Sequence, residues 1–241
     1  MKSTNYIANK LIKFPMGYIF TYEDFIRDVN DKEAIIKALN RMVQAGKIAK
    51  LAKGKFYKPE VSVFGKLQPD LSQYIKDLLE DNGQIIGYIT GYSIYNQLGL
   101  TTQISNTIQI GKNEVRSSII RDRYTISFIK QKNIITKDNI ALLQLLDAIR
   151  YIKKIPDTTI ELSCKRFLAI IKKFSLKDKQ LIVKLALKYP PATRAILGAF
   201  LEEIGYKELS DPLQKSLNPI TSYKLLNFNK IIAYAKNWNI Q

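Results

Sequence analysis

The side chains of this chain with the clearest chemistry are the basic and amide groups between Lys32 and Lys58. Apolar residues recur at helical spacing from Ala34 to Val43, which predicts an amphipathic helix. The outward face of that helix carries four polar side chains: Lys32, Lys37, Asn40 and Arg41. An Asn amide can form two hydrogen bonds with an adenine edge, and Lys or Arg can reach guanine or a phosphate. The face therefore suits contact with duplex DNA, although an ordinary solvated helix face would show the same pattern.

Arg41 has a second candidate partner inside the protein. It follows the other polar residues along the helix, where it could pair with Glu23 or Asp24 of the preceding helix. The sequence is compatible with both a carboxylate and DNA as its partner.

A short basic hairpin is expected directly after this helix. Gly46 should end the helix, because glycine readily takes a positive φ, and two short strands then flank a turn at Lys53 and Gly54. Lys53 and Lys55 stand on either side of Gly54, where they could contact phosphates or could protect a sheet edge from pairing. A helix followed by a lysine-tipped hairpin predicts a winged helix-turn-helix, with the helix in the major groove and the wing along phosphates.

The overall charge supports a polyanionic partner. The 241 residues carry a formal net charge of +17 with a pI near 9.7, and such a field attracts nucleic acid, an acidic protein or an anionic membrane. Lysine- and isoleucine-rich chains also arise from AT-rich coding sequence. The clustering of basic residues at 41–58 is therefore stronger support for nucleic-acid binding than the total net charge. No apolar run is long enough to span a membrane and no export segment is evident, so we expect a cytoplasmic protein.

The composition argues against most catalytic chemistry. The chain has no histidine and one cysteine, Cys164, which removes histidine-based triads and nearly all zinc sites. Cys164 lies among apolar residues and is expected to be buried. We find no convincing pair of carboxylates and no metal cluster, and expect neither a catalytic residue nor a cofactor, although carboxylate, lysine and tyrosine chemistry stays open.

The pattern along the chain predicts two domains of an α+β, helix-dominated protein. Residues 1–59 are expected to form the winged helix-turn-helix, with earlier helices from Thr4 to Lys13 and from Thr21 to about Val29. Residues 60–241 should form a larger domain with a small sheet and several helices. A linker at 59–69 that pairs with the wing, a helix from Asp70 to Asn82, strands at 107–110 and 124–129, and helices near 139–153, 158–173, 176–188 and 192–204 are its predicted elements.

Three features of the second domain have alternative explanations. The Gly- and Tyr-rich stretch 87–103 is expected to hold a turn, a helix over 92–98 and tyrosines at a domain junction, with a ligand loop as the alternative. Asp147 and Arg150 are spaced as an i,i+3 pair on one helix, which needs no catalytic explanation. Arg194 is expected in the first turn of a helix after Pro191, which is the unfavourable end of the dipole for a cation, so a partner carboxylate or a bound anion could compensate it.

Several segments resemble the AbiEi family of antitoxins, and in particular its uncharacterised DUF6088-like subgroup. The resemblance to the family's N-terminal winged helix rests on the segments 17–25, 39–48 and 52–59, and it continues through 87–103, 108–110 and 143–156. It therefore spans most of the chain and is loosest beyond about residue 190.

The resemblance implies an antitoxin of a type IV toxin–antitoxin system involved in abortive infection by phage. Such an antitoxin represses its own operon through the winged helix and counters a nucleotidyltransferase toxin without forming a stable complex with it. The DNA-binding role of the family transfers here to Lys32, Lys37, Asn40, Arg41, Lys53 and Lys55. An RNA-binding accessory protein without a toxin partner is the alternative, since fourteen tyrosines could supply stacking surfaces.

Overall fold

The computed structural model describes residues 3–26, 28–29, 31–63, 65–67, 69, 71–81, 83–114, 116–121 and 123–241. Asp70 and Asn82, the predicted bounds of one helix, lie outside the described residues. The chain forms two compact units, one of Met1–Leu78 with Arg121–Arg123 and one of Leu79–Ile120 with Tyr124–Gln241. The predicted boundary after Pro59 lies within the first unit, and independent folding of residues 1–59 stays a prediction.

The first part of the chain alternates short helices with short strands. Its elements are α1 (Ser3–Lys13), β1 (Ile19–Phe20), α2 (Glu23–Ile26), α3 (Lys32–Gln44), β2 (Ala49–Ala52), β3 (Lys55–Tyr57), β4 (Glu60–Ser62), β5 (Gly65–Leu67), α4 (Leu71–Tyr74) and α5 (Lys76–Leu79). The strands β1, β3 and β2 form one antiparallel sheet in that order, and β4 pairs with β5.

Local signals explain where α3 begins and ends. The Asp31 carboxylate accepts a hydrogen bond from the Ala34 amide at 2.9 Å, which satisfies one of the free N–H groups of the first turn. At the other end Gly46 has a φ of 70°, a conformation that glycine adopts without strain. Between these points the apolar face of α3 is buried.

That buried face belongs to a compact core in the first unit. It consists of Ile7, Leu11, Phe20, Phe25, Ile35, Ala38, Leu39, Met42, Ile48 and Phe56. The aromatic rings of Phe20 and Phe25 meet edge to face with centroids 5.9 Å apart, a favoured geometry for aromatic pairs. The core fixes α3 against α1, α2 and the three-stranded sheet, so the opposite face of α3 points outward.

Three sequence predictions for this part of the chain need correction. The second helix is described over Glu23–Ile26, and neither Asp28 nor Val29 is helical, whereas the prediction ran to about Val29. The described residues between 59 and 69 form their own hairpin instead of pairing with the wing, since β4 pairs with β5 from Glu60–Leu67 to Ser62–Gly65. The long helix predicted after residue 70 is two short helices, α4 and α5.

The rest of the chain places a small sheet before a run of helices. Its elements are β6 (Glu80–Asp81), β7 (Gln84–Ile85), β8 (Gly87–Thr90), α6 (Tyr92–Gln97), β9 (Thr107–Lys112), β10 (Ile119–Arg121), β11 (Tyr124–Lys130), α7 (Ile140–Arg150), α8 (Ile160–Lys172), α9 (Leu176–Ala186), α10 (Pro191–Glu203) and α11 (Lys207–Lys215), with 3₁₀ helices at Ile152–Lys154, Phe228–Lys230 and Ala233–Trp238. The four-stranded sheet has the order β10, β11, β9, β8, with β11 parallel to β9 and β8 antiparallel to it.

The second unit has a large apolar core of its own. Helices α7 to α10 and the C-terminal segment contribute most of it, and Cys164 is fully buried there as expected. Tyr88 and Tyr95 are buried in the same core and Tyr92 packs against it, which corrects the prediction that these tyrosines lie at a domain junction. The predicted mixed α+β class is confirmed.

Trp238 anchors the C-terminal segment. Its ring lies where a side chain on Gly198 would have to sit, and its indole N–H donates to the Glu202 carboxylate at 2.8 Å. Asn237 donates to the same carboxylate at 2.9 Å. Glu202 is buried, and its carboxylate holds the C-terminal segment in place through these two hydrogen bonds.

Candidate nucleic-acid interface

The outward face of α3 presents the polar side chains that the sequence singled out. Lys37, Asn40 and Arg41 are exposed, while Ile35 and Leu39 on the opposite face are fully buried. The Lys37 side chain is 70% exposed, and its Nζ lies 3.8 Å from a Glu33 carboxylate oxygen one turn earlier. Such an exposed pair contributes little to stability, so it leaves the lysine available to another anion.

The environments of Lys32 and Arg41 differ. The Nζ of Lys32 lies 4.5 Å from the centroid of the Tyr22 ring, a cation–π contact that restrains the start of α3. Arg41 is exposed, and within the described part of the chain it forms no ion pair with Glu23 or Asp24. Asp24 instead accepts a hydrogen bond from the Thr21 amide at 2.8 Å, as a helix-capping carboxylate.

The two lysines at the tip of the β2–β3 hairpin have different surroundings. Lys53 is exposed in the turn and has no ion-pair partner among the residues that the structure describes. Lys55 is only 33% exposed along its side chain, and its Nζ lies 3.7 Å from an Asp77 oxygen. The sequence predicted equivalent positions for them, whereas the structure gives Lys55 a partner.

Asp77 is shared between Lys55 and Arg121. The Arg121 guanidinium donates to both Asp77 oxygens, at 2.6 and 2.7 Å. Burial opposes the charged form of Asp77, but the hydrogen bonds and charge of Arg121, together with Lys55, hold its pKa below the usual value. Asp77 therefore stays ionised at neutral pH and partly neutralises Lys55.

Two further lysines of the first unit were not assigned roles from the sequence. Lys58 donates to the carbonyls of Ile12 and Phe14 at 3.1 and 3.0 Å, where it satisfies the C-terminal end of α1. The Nζ of Lys66 on β5 lies 3.9 Å from the position of a Cβ on Gly46, at the end of α3. The position of Lys66 beside the end of α3 could not be predicted, because the β4–β5 hairpin was expected to be a linker.

The second unit contains a buried polar network around Asp147. This residue is 1% exposed, and its carboxylate accepts hydrogen bonds from the Tyr88, Tyr189 and Thr90 hydroxyls at 2.7, 2.9 and 3.0 Å. Within the described residues Asp147 and Arg150, spaced as an i,i+3 pair, form no ion pair, although the charge of Arg150 acts on the carboxylate. The guanidinium of Arg150 lies 5.0 Å from the Tyr151 ring centroid instead.

A buried amide completes this network. The Gln131 amide donates to both the Tyr88 and the Tyr189 hydroxyls at 2.8 Å. Each tyrosine thus accepts from Gln131 and donates to Asp147, and the Leu143 carbonyl is a second, longer acceptor for Tyr189 at 3.3 Å. Its carbonyl oxygen accepts from the backbone amide of Asn133. Each hydroxyl that surrounds Asp147 thus has an acceptor for its proton when the carboxylate is ionised.

Burial dominates the proton affinities within this network. It raises the pKa of Asp147 above its usual value, although the Tyr88, Tyr189 and Thr90 hydroxyls and the charge of Arg150 oppose that shift. Burial, together with the negative charge of Asp147, also raises the pKa values of Tyr88 and Tyr189. These phenols stay protonated at any physiological pH, so they act as fixed donors that position Asp147.

Arg194 has a backbone partner. Its guanidinium donates to the Ser216 carbonyl at 3.0 Å, at the C-terminal end of α11, and its buried Nε has no partner within the described residues. A helix C-terminus favours a cation. This interaction compensates for the position of Arg194 in the first turn of α10.

Comparison with known proteins places the chain in one family. A family model described as a family of unknown function, DUF6088, matches residues 6–181, which is more than half of the chain. The chain belongs to the DUF6088 family. The match includes α3 with its hairpin, and Tyr88, Thr90, Gln131 and Asp147 of the buried network, but it ends at residue 181, before Tyr189.

The structural comparison finds the crystal structure of the RV2827C protein from Mycobacterium tuberculosis. The two structures superpose with a TM-score of 0.48 at 12% identity, over 92% of this DUF6088 chain and 84% of the mycobacterial one. No curated protein matches the chain. Within its described residues the structure has neither a helix long and apolar enough to cross a membrane nor a cluster of three or more metal-ligating side chains.

Proposed function

We propose that this protein is a DNA-binding autoregulator and antitoxin of a type IV, AbiE-like toxin–antitoxin system. In this proposal α1–α3 and the β1–β3–β2 sheet act as a winged helix-turn-helix, with α3 as the recognition helix and the β2–β3 hairpin as the wing. The observation that carries the proposal is the division of α3 into a buried apolar face and an exposed face with Lys37, Asn40 and Arg41. The Asn40 amide could hydrogen-bond a base edge while the long side chains of Lys37 and Arg41 on the same helix contact phosphates.

The antitoxin part of the proposal is supported by the sequence resemblance. The segments 17–25, 39–48, 52–59, 87–103 and 143–156 resemble AbiEi antitoxins, and all of them lie within residues 6–181, which match the DUF6088 family of unknown function. The proposed partner is a nucleotidyltransferase toxin that the protein counters in the cytoplasm without a stable complex. The protein itself acts by binding and not by catalysis. A nucleotidyltransferase gene beside this one would support that role.

Binding of the protein to the DNA upstream of its own gene should be largely electrostatic. Removal of one phosphate-binding cation should reduce the slope of log binding constant against log salt concentration by about 0.9. Lys53→Ala should weaken binding to all sequences alike and reduce the slope by about that amount, whereas Lys55→Ala should have the smaller effect because Asp77 already neutralises it. Fluorescence anisotropy titrations over a series of salt concentrations measure both quantities.

The matched control is Lys165→Ala. This lysine is exposed on α8 in the second unit, so the substitution removes the same charge away from the proposed interface. A flat salt response of the unmodified protein, or equal affinity for its upstream region and for random duplex, would rule out operator binding. An effect of Lys165→Ala as large as that of Lys53→Ala would show that only total charge matters.

Protection from the toxin should survive the loss of DNA binding. We expect the full-length Asn40→Ala/Lys53→Ala double variant to lose repression of a reporter placed behind its own promoter. The same variant, expressed from a foreign promoter beside the adjacent toxin, should restore growth as well as the unmodified protein does. If growth protection disappears together with repression, the two activities are not separate and this division of labour is wrong.

A further inference from the structure

A small aromatic cleft in the second unit is not used by the proposed function. It has a volume of about 250 Å³. Its lining includes Tyr92 and Tyr95 of α6, Gln109 of β9, Ser127 of β11, and Tyr151 and Lys154 from the segment after α7. Pockets for drug-sized ligands hold about 300–1,000 Å³, so this cleft has room for one planar ring system rather than for a large cofactor.

The polar groups of the cleft lie side by side on the sheet. Ser127 of β11 and Gln109 of β9 are direct neighbours in the parallel register. The Ser127 hydroxyl is buried and has no hydrogen-bond partner within the described residues. A buried hydroxyl without a partner costs free energy, so its persistence at the wall of a cleft points to a polar ligand atom.

The position of Gln109 depends on a glycine. Gly91 precedes α6 with a φ of 69°, and a Cβ at that position would lie within 3 Å of several Gln109 side-chain atoms. The absence of a side chain at residue 91 therefore lets the Gln109 amide lie against the backbone at the edge of the cleft. A carboxamide beside a hydroxyl supplies the donors and acceptors that recognise the edge of a nucleobase.

Positive charge accompanies the aromatic walls. The guanidinium of Arg150 and the Nζ of Lys154 lie 5.0 and 5.6 Å from the Tyr151 centroid. Lys154 and Arg150 are exposed. They can reach a phosphate outside the cleft while a base occupies it.

We propose that this cleft binds a single nucleobase together with its adjoining phosphate. Tyr92 and Tyr151 supply stacking surface, Ser127 and Gln109 hydrogen-bond the base edge, and Lys154 contacts the phosphate. Proteins that bind single-stranded nucleic acids combine aromatic rings, on which the bases stack, with cationic side chains that contact the backbone. The base can come from a free nucleotide or from a flexible single strand, and the site is separate from the duplex interface proposed for α3.

The test uses the full-length protein and defined probes. The probes are the four nucleoside 5′-monophosphates, and an RNA and a DNA octanucleotide of one sequence, measured by calorimetry. Tyr151→Leu and Lys154→Ala should each weaken binding about 10-fold, with Tyr234→Leu and Lys165→Ala as controls for an exposed tyrosine and an exposed lysine outside the cleft. If these two substitutions weaken the binding of a monophosphate, the base comes from a free nucleotide. If they weaken only the binding of an octanucleotide, the base comes from a single strand.

Ser127→Ala separates a ligand role from a structural one. Removal of a buried hydroxyl that has no partner should leave the thermal midpoint unchanged or raise it, while nucleotide binding should weaken several-fold. The proposal is overturned if no probe binds, or if binding is unaffected by Tyr151→Leu, Lys154→Ala and Ser127→Ala. Loss of duplex binding on substitution of Asn40 would leave this result untouched, so the two sites can fail independently.

Discussion

Asp147→Ala is expected to lower the free energy of unfolding by at least about 3 kcal/mol. The substitution removes the acceptor of three hydroxyls in the core of the second unit, those of Tyr88, Tyr189 and Thr90. A buried donor without a partner costs about 1–3 kcal/mol. Urea denaturation followed by circular dichroism measures the decrease.

Two companion variants test this account of Asp147. Asp138→Ala, an exposed carboxylate just before α7, should cost less than about 1 kcal/mol. Tyr189→Phe removes one donor and should cost less than Asp147→Ala, because the carboxylate keeps two of its hydroxyl partners. Equal stability of Asp147→Ala and the unmodified protein would contradict a structural role for the network.

The pH dependence of the same site has a definite sign. Because burial raises the folded-state pKa of Asp147, the folded protein holds this proton to a higher pH than the unfolded chain does, and ionisation weakens folding. The stability of the unmodified protein relative to Asp147→Asn should therefore fall as pH rises from the ordinary carboxyl pKa of 3.8 toward the raised value. A relative stability that increases over that range would show that the pKa is depressed instead.

Asn40→Ala is expected to weaken binding to the protein's own operator by about 1–3 kcal/mol, which corresponds to about 5- to 150-fold. The reason is the loss of a bidentate hydrogen bond between the amide and an adenine edge. The exposed position of Asn40 on α3, with Leu39 and Ile35 buried behind it, leaves its side chain free to bind a base in this way. Titration of single-base operator variants shows which position loses discrimination.

The contrast with Lys53→Ala decides whether Asn40 contacts a base. Asn40→Ala should relax the preference at one operator position, whereas Lys53→Ala should lower affinity for every variant by a similar factor. If the two substitutions give the same profile over the operator variants, Asn40 does not contact a base edge and the assignment of α3 is wrong.

Local signals determined α3 and its hairpin. The Asp31 cap, the helical spacing of Ile35, Leu39 and Met42, and the stop at Gly46 are interactions within about one or two turns of chain, so they can be read without knowing the fold. The same spacing predicted which face of α3 is buried. The long helices of the second unit were predicted for the same reason, with boundaries a few residues from those observed.

Only the tertiary structure decided what those faces contact. The partners of Asp147 are 42 to 59 residues away in sequence, whereas the predicted partner Arg150 was simply the nearest cation along the helix. Lys55 likewise differs from Lys53 because folding brings Asp77 beside it. The spacing of apolar residues predicts which face of a helix is buried. It does not predict which polar groups, distant in sequence, are buried against that face.

The aromatic cleft shows the same limit. Tyr92, Ser127 and Tyr151 come from three separate segments, and each has an ordinary local role as a helix, strand or helix-end residue. Their proximity follows from the parallel pairing of β9 with β11 and from the packing of α6 and α7. The sequence supplied the rings, the hydroxyl and the lysine, and the long-range strand register and helix packing placed them around one cavity.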